Sequence, residues 1–278
     1  MVQIYSANFR CKSTLFEAIK TLLTQTYNHR WQIYLAIIKK LQSTYKQDVF
    51  GIFWSIIMPI IPMTIYIALA HIKVFKTVEN MPFVFYIAIG MTIWLLMTTT
   101  IHGVLLSIKA EKSILTTSNF PIFPIMLSKL GEVFYETIIR FFVIAIIVFY
   151  FNVNINLISI LLALLSLIPA IIFALGVGII LSLFDILIQD IRRVTLLLLR
   201  YGLFVSSVIF PFPEEGIIAI VNQFNIFNTF VNATRSILYT GTIEHMALYI
   251  STSIFAIIVF IIASKLLYSL EYKIRSYL

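Results

Sequence analysis

Glu132, Glu136 and Arg140 recur at i, i+4 and i+8 within a stretch that is otherwise largely apolar. Helical spacing places all three on one face, where Glu136 can pair with Arg140. The group reads either as the polar edge of a conduit or as a paired helix start whose side chains snorkel to the membrane surface. Arg200 is a second candidate, about six residues into another apolar run, or roughly 9 Å at 1.5 Å per residue. A charge at that depth faces a bundle interior, water or a partner, or else snorkels. Pro59 and Pro62 each remove a backbone hydrogen bond and tend to kink a helix. Such kinks suit a wall that changes shape, and they also occur in passive membrane helices. Trp54, Tyr66, Phe204 and Phe210 offer flat faces on which sugar rings can stack, although most of the 24 Phe and 14 Tyr are expected as interfacial belt or packing residues.

What is missing narrows the chemistry. The sequence has no GxxxxGK[ST] phosphate loop, so the chain by itself is not expected to hydrolyse ATP or GTP. Neither HExxH nor GxSxG occurs, and His29, His71, His102 and His245 fall in separate segments as helix-end or interface residues. The single cysteine, Cys11, excludes an internal disulfide and a Cys-rich metal centre. No catalytic residue, metal or resident cofactor is therefore expected.

These residues sit in a chain that is 60% apolar and 12% charged, against roughly 45–50% and about 25% in soluble domains. There is too little polar surface to cover a water-soluble globule, so lipid is the expected solvent. A net charge of +8 does not imply nucleic acid, because the basic residues cluster between apolar runs rather than in one patch. The first 30 residues hold no apolar stretch with a small-residue cleavage site, so no cleavable signal peptide is expected.

A membrane-crossing helix needs about 20 mostly apolar residues. Runs at about 50–72, 83–108, 134–151, 157–183, 194–210 and 246–267 meet that need, which predicts an all-α bundle of six spans. Residues 1–49 form a cytoplasmic segment, residues 50–267 the transmembrane domain and residues 268–278 a cytoplasmic tail. No internal repeat or second domain is visible. Residues 216–238 are apolar but broken by Asn222, Asn225, Asn228, Asn232 and Arg235, and amides are costly against lipid, so the segment reads as re-entrant or interfacial helix. Pro121 and Pro124 are expected to end a short cytoplasmic helix before the third span. Within residues 30–46, Ile33, Ala36, Ile37 and Leu41 fall at helical spacing, as in an amphipathic helix under the inner leaflet; the alternative is a flexible basic segment.

Of the 20 Lys and Arg, Arg140 and Arg200 lie inside runs. Only Lys73, Lys76 and Arg235 fall on the side away from the N-terminus, and the rest fall on its own side. This asymmetry puts both termini in the cytoplasm.

Four stretches, taken in order, carry a resemblance. Residues 44–66 (TYKQDVFGIFWSIIMPIIPMTIY) follow basic and polar residues with Gly-hydrophobe-hydrophobe-Trp and then Pro. Residues 119–130 (NFPIFPIMLSKL) follow a short helix, and residues 189–213 (QDIRRVTLLLLRYGLFVSSVIFPFP) open on Asp-Ile-Arg and close on Phe-Pro. Residues 228–241 (NTFVNATRSILYTG) include Arg235. Together they resemble the type-2 ABC exporter permeases that move lipid-linked polysaccharides, namely the O-antigen, capsule and teichoic-acid branches. The sequence departs from that pattern where Ile122 and Phe123 follow Pro121 in place of Arg-Glu, and where no Asn-Pro pair precedes the outer helix.

The resemblance implies a homodimeric pore in a bacterial cytoplasmic membrane, lined by the first and fifth spans and carrying a lipid-linked glycan. Two separate cytoplasmic subunits would bind ATP and Mg and drive it. The helix bearing Lys109, Glu111, Lys112 and Leu115 would dock on the ATPase, and Arg235 would sit on an outer re-entrant helix. Trp54, Pro59, Pro62, Tyr66, Glu132, Glu136, Arg140, Arg200, Phe204 and Phe210 are the conduit or gating candidates. Contact with membrane lipid is expected, and none with nucleic acid. The alternatives are a type-2 permease for drugs or simple lipids, and a membrane-embedded transferase or assembly scaffold.

Overall fold

A chain this apolar can satisfy its backbone N–H and C=O groups in lipid only as helices or as a closed barrel. The computed structural model describes Arg10 and residues 13–46, 57, 60–61, 64–65, 68, 81–209, 211, 216, 222 and 224–277. Among the described residues it contains helices and no strand. The helices are α1 (Leu15–Asn28), α2 (Arg30–Lys46), α3 (Phe83–Ala110), α4 (Lys112–Thr117), α5 (Ile122–Tyr150), α6 (Leu157–Leu187), α7 (Asp190–Tyr201), α8 (Ile226–Thr240) and α9 (Met246–Tyr277). Four of them, α3, α5, α6 and α9, are long and apolar enough to cross a membrane. The chain is a multi-pass membrane protein. Most of the run at 50–72, with Trp54, Pro59, Pro62 and Tyr66, lies outside the described residues, as does Phe210.

Helix α6 is the hub and packs against α3, α7, α8 and α9. Two glycines let its largest neighbours approach. A Cβ on Gly176 would lie 3.0 Å from the Phe260 backbone of α9, and one on Gly178 would lie 2.8 Å from Val104 Cβ of α3. Two residues apart on a helix means nearly opposite faces, so α6 is clasped between α3 and α9. Most of the apolar stretch of α3 is buried inside the bundle, whereas most of that of α9 faces outward. Thr98 and Thr100 of α3 bond the carbonyls of Trp94 and Leu96 at 2.9 and 2.7 Å, so their hydroxyls enter the core already satisfied.

Three elements differ from the sequence expectation. Helix α5 begins at Ile122, so Pro121 is its N-cap and Pro124 its third residue rather than terminators of a preceding helix. In the first turn the N–H groups have no intrahelical acceptor, so proline forfeits nothing there. Helix α9 continues through the expected tail to Tyr277, with Tyr268, Glu271 and Ile274 buried along one face. Helix α7 has only 12 residues, about 18 Å, which is short of the roughly 30 Å hydrocarbon core. It gives way to a 3-10 turn at Gly202–Val205, where Gly202 lies against the Trp94 indole.

Residues 13–46 hold two helices, of which the sequence reading anticipated only the second. Thr14 and Glu17 form a reciprocal capping box that starts α1, and Ala18 and Leu22 are buried as α1 packs on α9 and α5. Helix α2 packs on α5, with Ile37 over Gly131. Ile33, Ile37 and Leu41 are half-buried, while Ala36 is exposed.

Candidate functional site

Three polar assemblies interrupt the apolar bundle. The first surrounds α4, a six-residue helix between α3 and α5. Its Leu115 is buried, whereas Lys112, Ser113, Ile114, Thr116 and Thr117 are exposed. Arg275 of α9 donates to the carbonyls of Leu115 and Ser118 at 3.2 Å each, and also to that of Phe120. One guanidinium thus satisfies acceptors that the C-terminus of α4 leaves open. Glu271, one turn earlier, accepts from the Ile122 backbone N–H at 3.2 Å and from Arg10 at 2.7 Å. Lys129 of α5 reaches Glu111 at 3.3 Å and Glu132 at 3.4 Å. Of the four residues expected on a docking helix, Lys112 faces outward and Leu115 inward, while Glu111 and Lys109 are held in ion pairs.

The second assembly is a cleft of about 830 Å³ between α3 and α7, lined among others by Trp94, Thr98, Thr99, His102, Arg193 and Arg200. Arg193 and Arg200 are two turns apart on one face of α7, so the cleft carries cations at both ends and hydroxyls opposite. Arg193 pairs with Asp190 at 3.7 Å. Arg200 has no ion-pair partner among the described residues. Leu196, Leu197 and Leu198 are exposed beside it. Phe204 lies in the following 3-10 turn and is also partly exposed.

The third assembly is a knot of amides around α8. Asn225 caps that helix, accepting from Phe227 and Asn228 N–H at 3.1 and 3.4 Å, and donates to the Ser206 hydroxyl at 2.8 Å. Asn228 accepts from the Ser207 hydroxyl and N–H, and Asn232 accepts from Ser207 at 3.1 Å. Arg235 is 4% exposed and bonds the carbonyls of Ser207, Val208 and Tyr86 at 3.1, 3.2 and 3.3 Å and Asn232 Oδ1 at 2.8 Å. The amides that seemed expensive against lipid are turned inward, where they hold the turn at residues 205–209 to α3 and α8.

Glu136 and Arg140 pair at 2.7 Å, and Arg140 is buried. Glu132 turns instead to Lys129. The structure does not draw Glu132, Glu136 and Arg140 to Arg200; they form a separate strip on α5. Sequence reasoning passed over Asp185, Glu271 and Arg275. Lys109, Ile122 and Leu115, which they meet, lie far away in the chain, and Glu271 and Arg275 sat in what read as a tail.

No family model matches this sequence. Over 100 residues it is 23% identical to the O-antigen export system permease protein RfbA of Myxococcus xanthus, a stretch covering 36% of this chain and 38% of that protein. The match therefore spans well under half the length of that relative.

Proposed function

We propose that the chain is the transmembrane subunit of an ABC exporter that carries a lipid-linked polysaccharide across a bacterial cytoplasmic membrane. Two copies would form the path, and two separate cytoplasmic subunits binding ATP and Mg would supply the work; this chain would have no catalytic residue of its own. Residues 50–72 and the broken segment built on α7 would complete six crossings, with both termini cytoplasmic and α8 as the outer re-entrant helix.

The observation behind this reading is α4. A short helix joining two membrane-crossing helices, capped from α9 and tied to α5 while its outer face stays open, is built to receive a push and pass it on. The partial likeness to an O-antigen export permease supports the same reading. In it, the α3–α7 cleft lies on the path: Arg193 and Arg200 suit an anionic head group, and the leucines beside them suit its chain.

A second reading, a permease for drugs or simple lipids, is favoured by the size of that cleft, since about 830 Å³ falls in the range of small-molecule pockets. A deletion strain separates the two. Lipid-linked glycan accumulating on the inner leaflet supports the first reading, and unchanged glycan with altered drug sensitivity supports the second. Co-purification of an ATPase bearing a phosphate loop is expected under both. ATP hydrolysis by the purified chain alone at a normal rate would sink both.

A further inference from the structure

Asp185 in the last turn of α6 is 1% exposed, yet it uses only half of its carboxylate. Oδ2 takes both cations, Lys109 Nζ at 2.9 Å and Arg192 at 3.1 Å. Oδ1 is buried with no hydrogen-bond partner among the described residues, and so is Nε of Arg192. Lys109 holds its place with a second bond, to the Asp185 carbonyl at 2.6 Å. A buried acceptor and a buried donor, both idle within one ion cluster, are costly. They are also the two atoms that a different arrangement of the same groups would use.

That arrangement follows from the shape of guanidinium. Its planar fork presents parallel N–H groups that match both oxygens of a carboxylate, which a lysine ammonium cannot do. If Lys109 withdraws, Arg192 can set Nε and a terminal nitrogen against Oδ1 and Oδ2, satisfying both idle atoms. The charge balance favours the exchange as well. Two cations on one carboxylate leave one positive charge in excess, carried by side chains that are 29% and 36% exposed, whereas an isolated Arg–Asp pair leaves none and the released Lys109 can meet water.

The three residues connect the elements that matter. Lys109 is in the last turn of α3, two residues before Glu111 caps α4. Arg192 is in the first turn of α7, the helix that carries Arg193 and Arg200 into the cleft. We propose that Lys109, Asp185 and Arg192 form a two-position ion switch that transmits displacement of α4 to α7. In the position seen here both cations share Oδ2. In the other, Lys109 has left with the end of α3 and Arg192 has closed on both oxygens, drawing the first turn of α7 toward α6 and reshaping the cleft. The switch rests on the reading of α4 as the element a partner moves, but its chemistry lies wholly within this chain.

The test therefore uses the full chain alone in lipid nanodiscs, with Cys11→Ser and spin labels introduced by Leu198→Cys on α7 and Ile160→Cys on α6. Lys109→Met imitates withdrawal, and the inter-label distance is expected to shift by about 2 Å or more, the scale of helix displacements in such transitions. Adding Arg192→Lys removes the fork but keeps the charge, and is expected to abolish the shift. Lys109→Gln, which retains a donor for the Asp185 carbonyl, serves if Lys109→Met does not fold. An unmoved α7 in both Lys109 variants, or an equal shift with Arg192→Lys, would overturn the switch. Absence of any ATPase partner in co-purification would instead overturn the exporter reading and leave this distance measurement standing.

Discussion

The guanidinium carbon of Arg235 lies 3.5 Å from the centre of the Tyr86 ring, while the Tyr86 hydroxyl bonds the same Ser207 carbonyl that Arg235 does. Two side chains 149 residues apart thus close on one turn of backbone. That turn follows α7, so the contact fixes where the short helix ends relative to α3 and α8.

Removing the guanidinium strands several buried acceptors, each costing about 1–3 kcal/mol. Arg235→Met is therefore expected to lower stability by roughly 3 kcal/mol or more, at the severe end for single substitutions. Arg235→Lys, a point donor without the fork, should fall between it and the parent. Tyr86→Phe keeps the ring and loses only the 2.8 Å bond to Ser207, a loss of about 1 kcal/mol. Thermal unfolding of the purified protein in one detergent checks the order; a Met variant as stable as the Phe variant would contradict it.

Gly90 and Gly131 predict opposite tolerances. A Cβ at Gly90 would press on the Arg235 guanidinium and stand 2.6 Å from the Val208 carbonyl oxygen, which is backbone and hydrogen-bonded. A Cβ at Gly131 would meet Ile37 Cγ1 at 2.6 Å and its terminal methyl, part of a side chain on a helix that packs at the edge. Gly90→Ala should cost about 1–3 kcal/mol as overpacking, and Gly131→Ala less than half as much. The ratio of correctly folded protein in size-exclusion profiles of the two variants reads the difference.

The long apolar helices were legible because a crossing needs an uninterrupted apolar run, and the Glu136–Arg140 pair because its partners are one turn apart. The α1 helix carried a signal in Thr14 and Glu17, three residues apart, that the sequence reading did not use. What could not be read was set by distance in the chain. Lys109 meets Asp185 across 76 positions and Glu271 meets Ile122 across 149. Pro124 was misjudged because a proline means opposite things at a helix end and in a first turn. The charged stretch after residue 267 read as a tail, although Glu271 and Arg275 in it bond the start of α5 and the end of α4.

Arg275→Ala is expected to free α4 without unfolding the bundle. Three carbonyls, those of Leu115, Ser118 and Phe120, lose their donor, while the apolar seams of α9 against α6 are untouched. Amide exchange in residues 111–120 should quicken by about tenfold, equivalent to about 1.4 kcal/mol of one charge-assisted bond. Exchange in the core of α3 should stay as it is. Equal acceleration in both would mean that Arg275 supports the whole fold rather than α4.

Lys112 and Glu111 are neighbours with different obligations, and charge reversal should separate them. Lys112 is exposed and has no ion-pair partner among the described residues, so Lys112→Glu should leave the unfolding temperature within the range of ordinary surface changes, about 0.5 kcal/mol. On the exporter reading proposed above, its effect would appear only with an ATP-binding subunit present, as hydrolysis that no longer produces export. Glu111→Lys does more: it removes the acceptor 3.3 Å from Lys129 and sets two ammonium groups against each other, which should destabilise the α4–α5 corner as well as uncouple. Hydrolysis and export measured in parallel, beside unfolding of the chain alone, resolve the two effects. If Lys112→Glu left export per ATP unchanged, the open face of α4 would not be where the partner pushes.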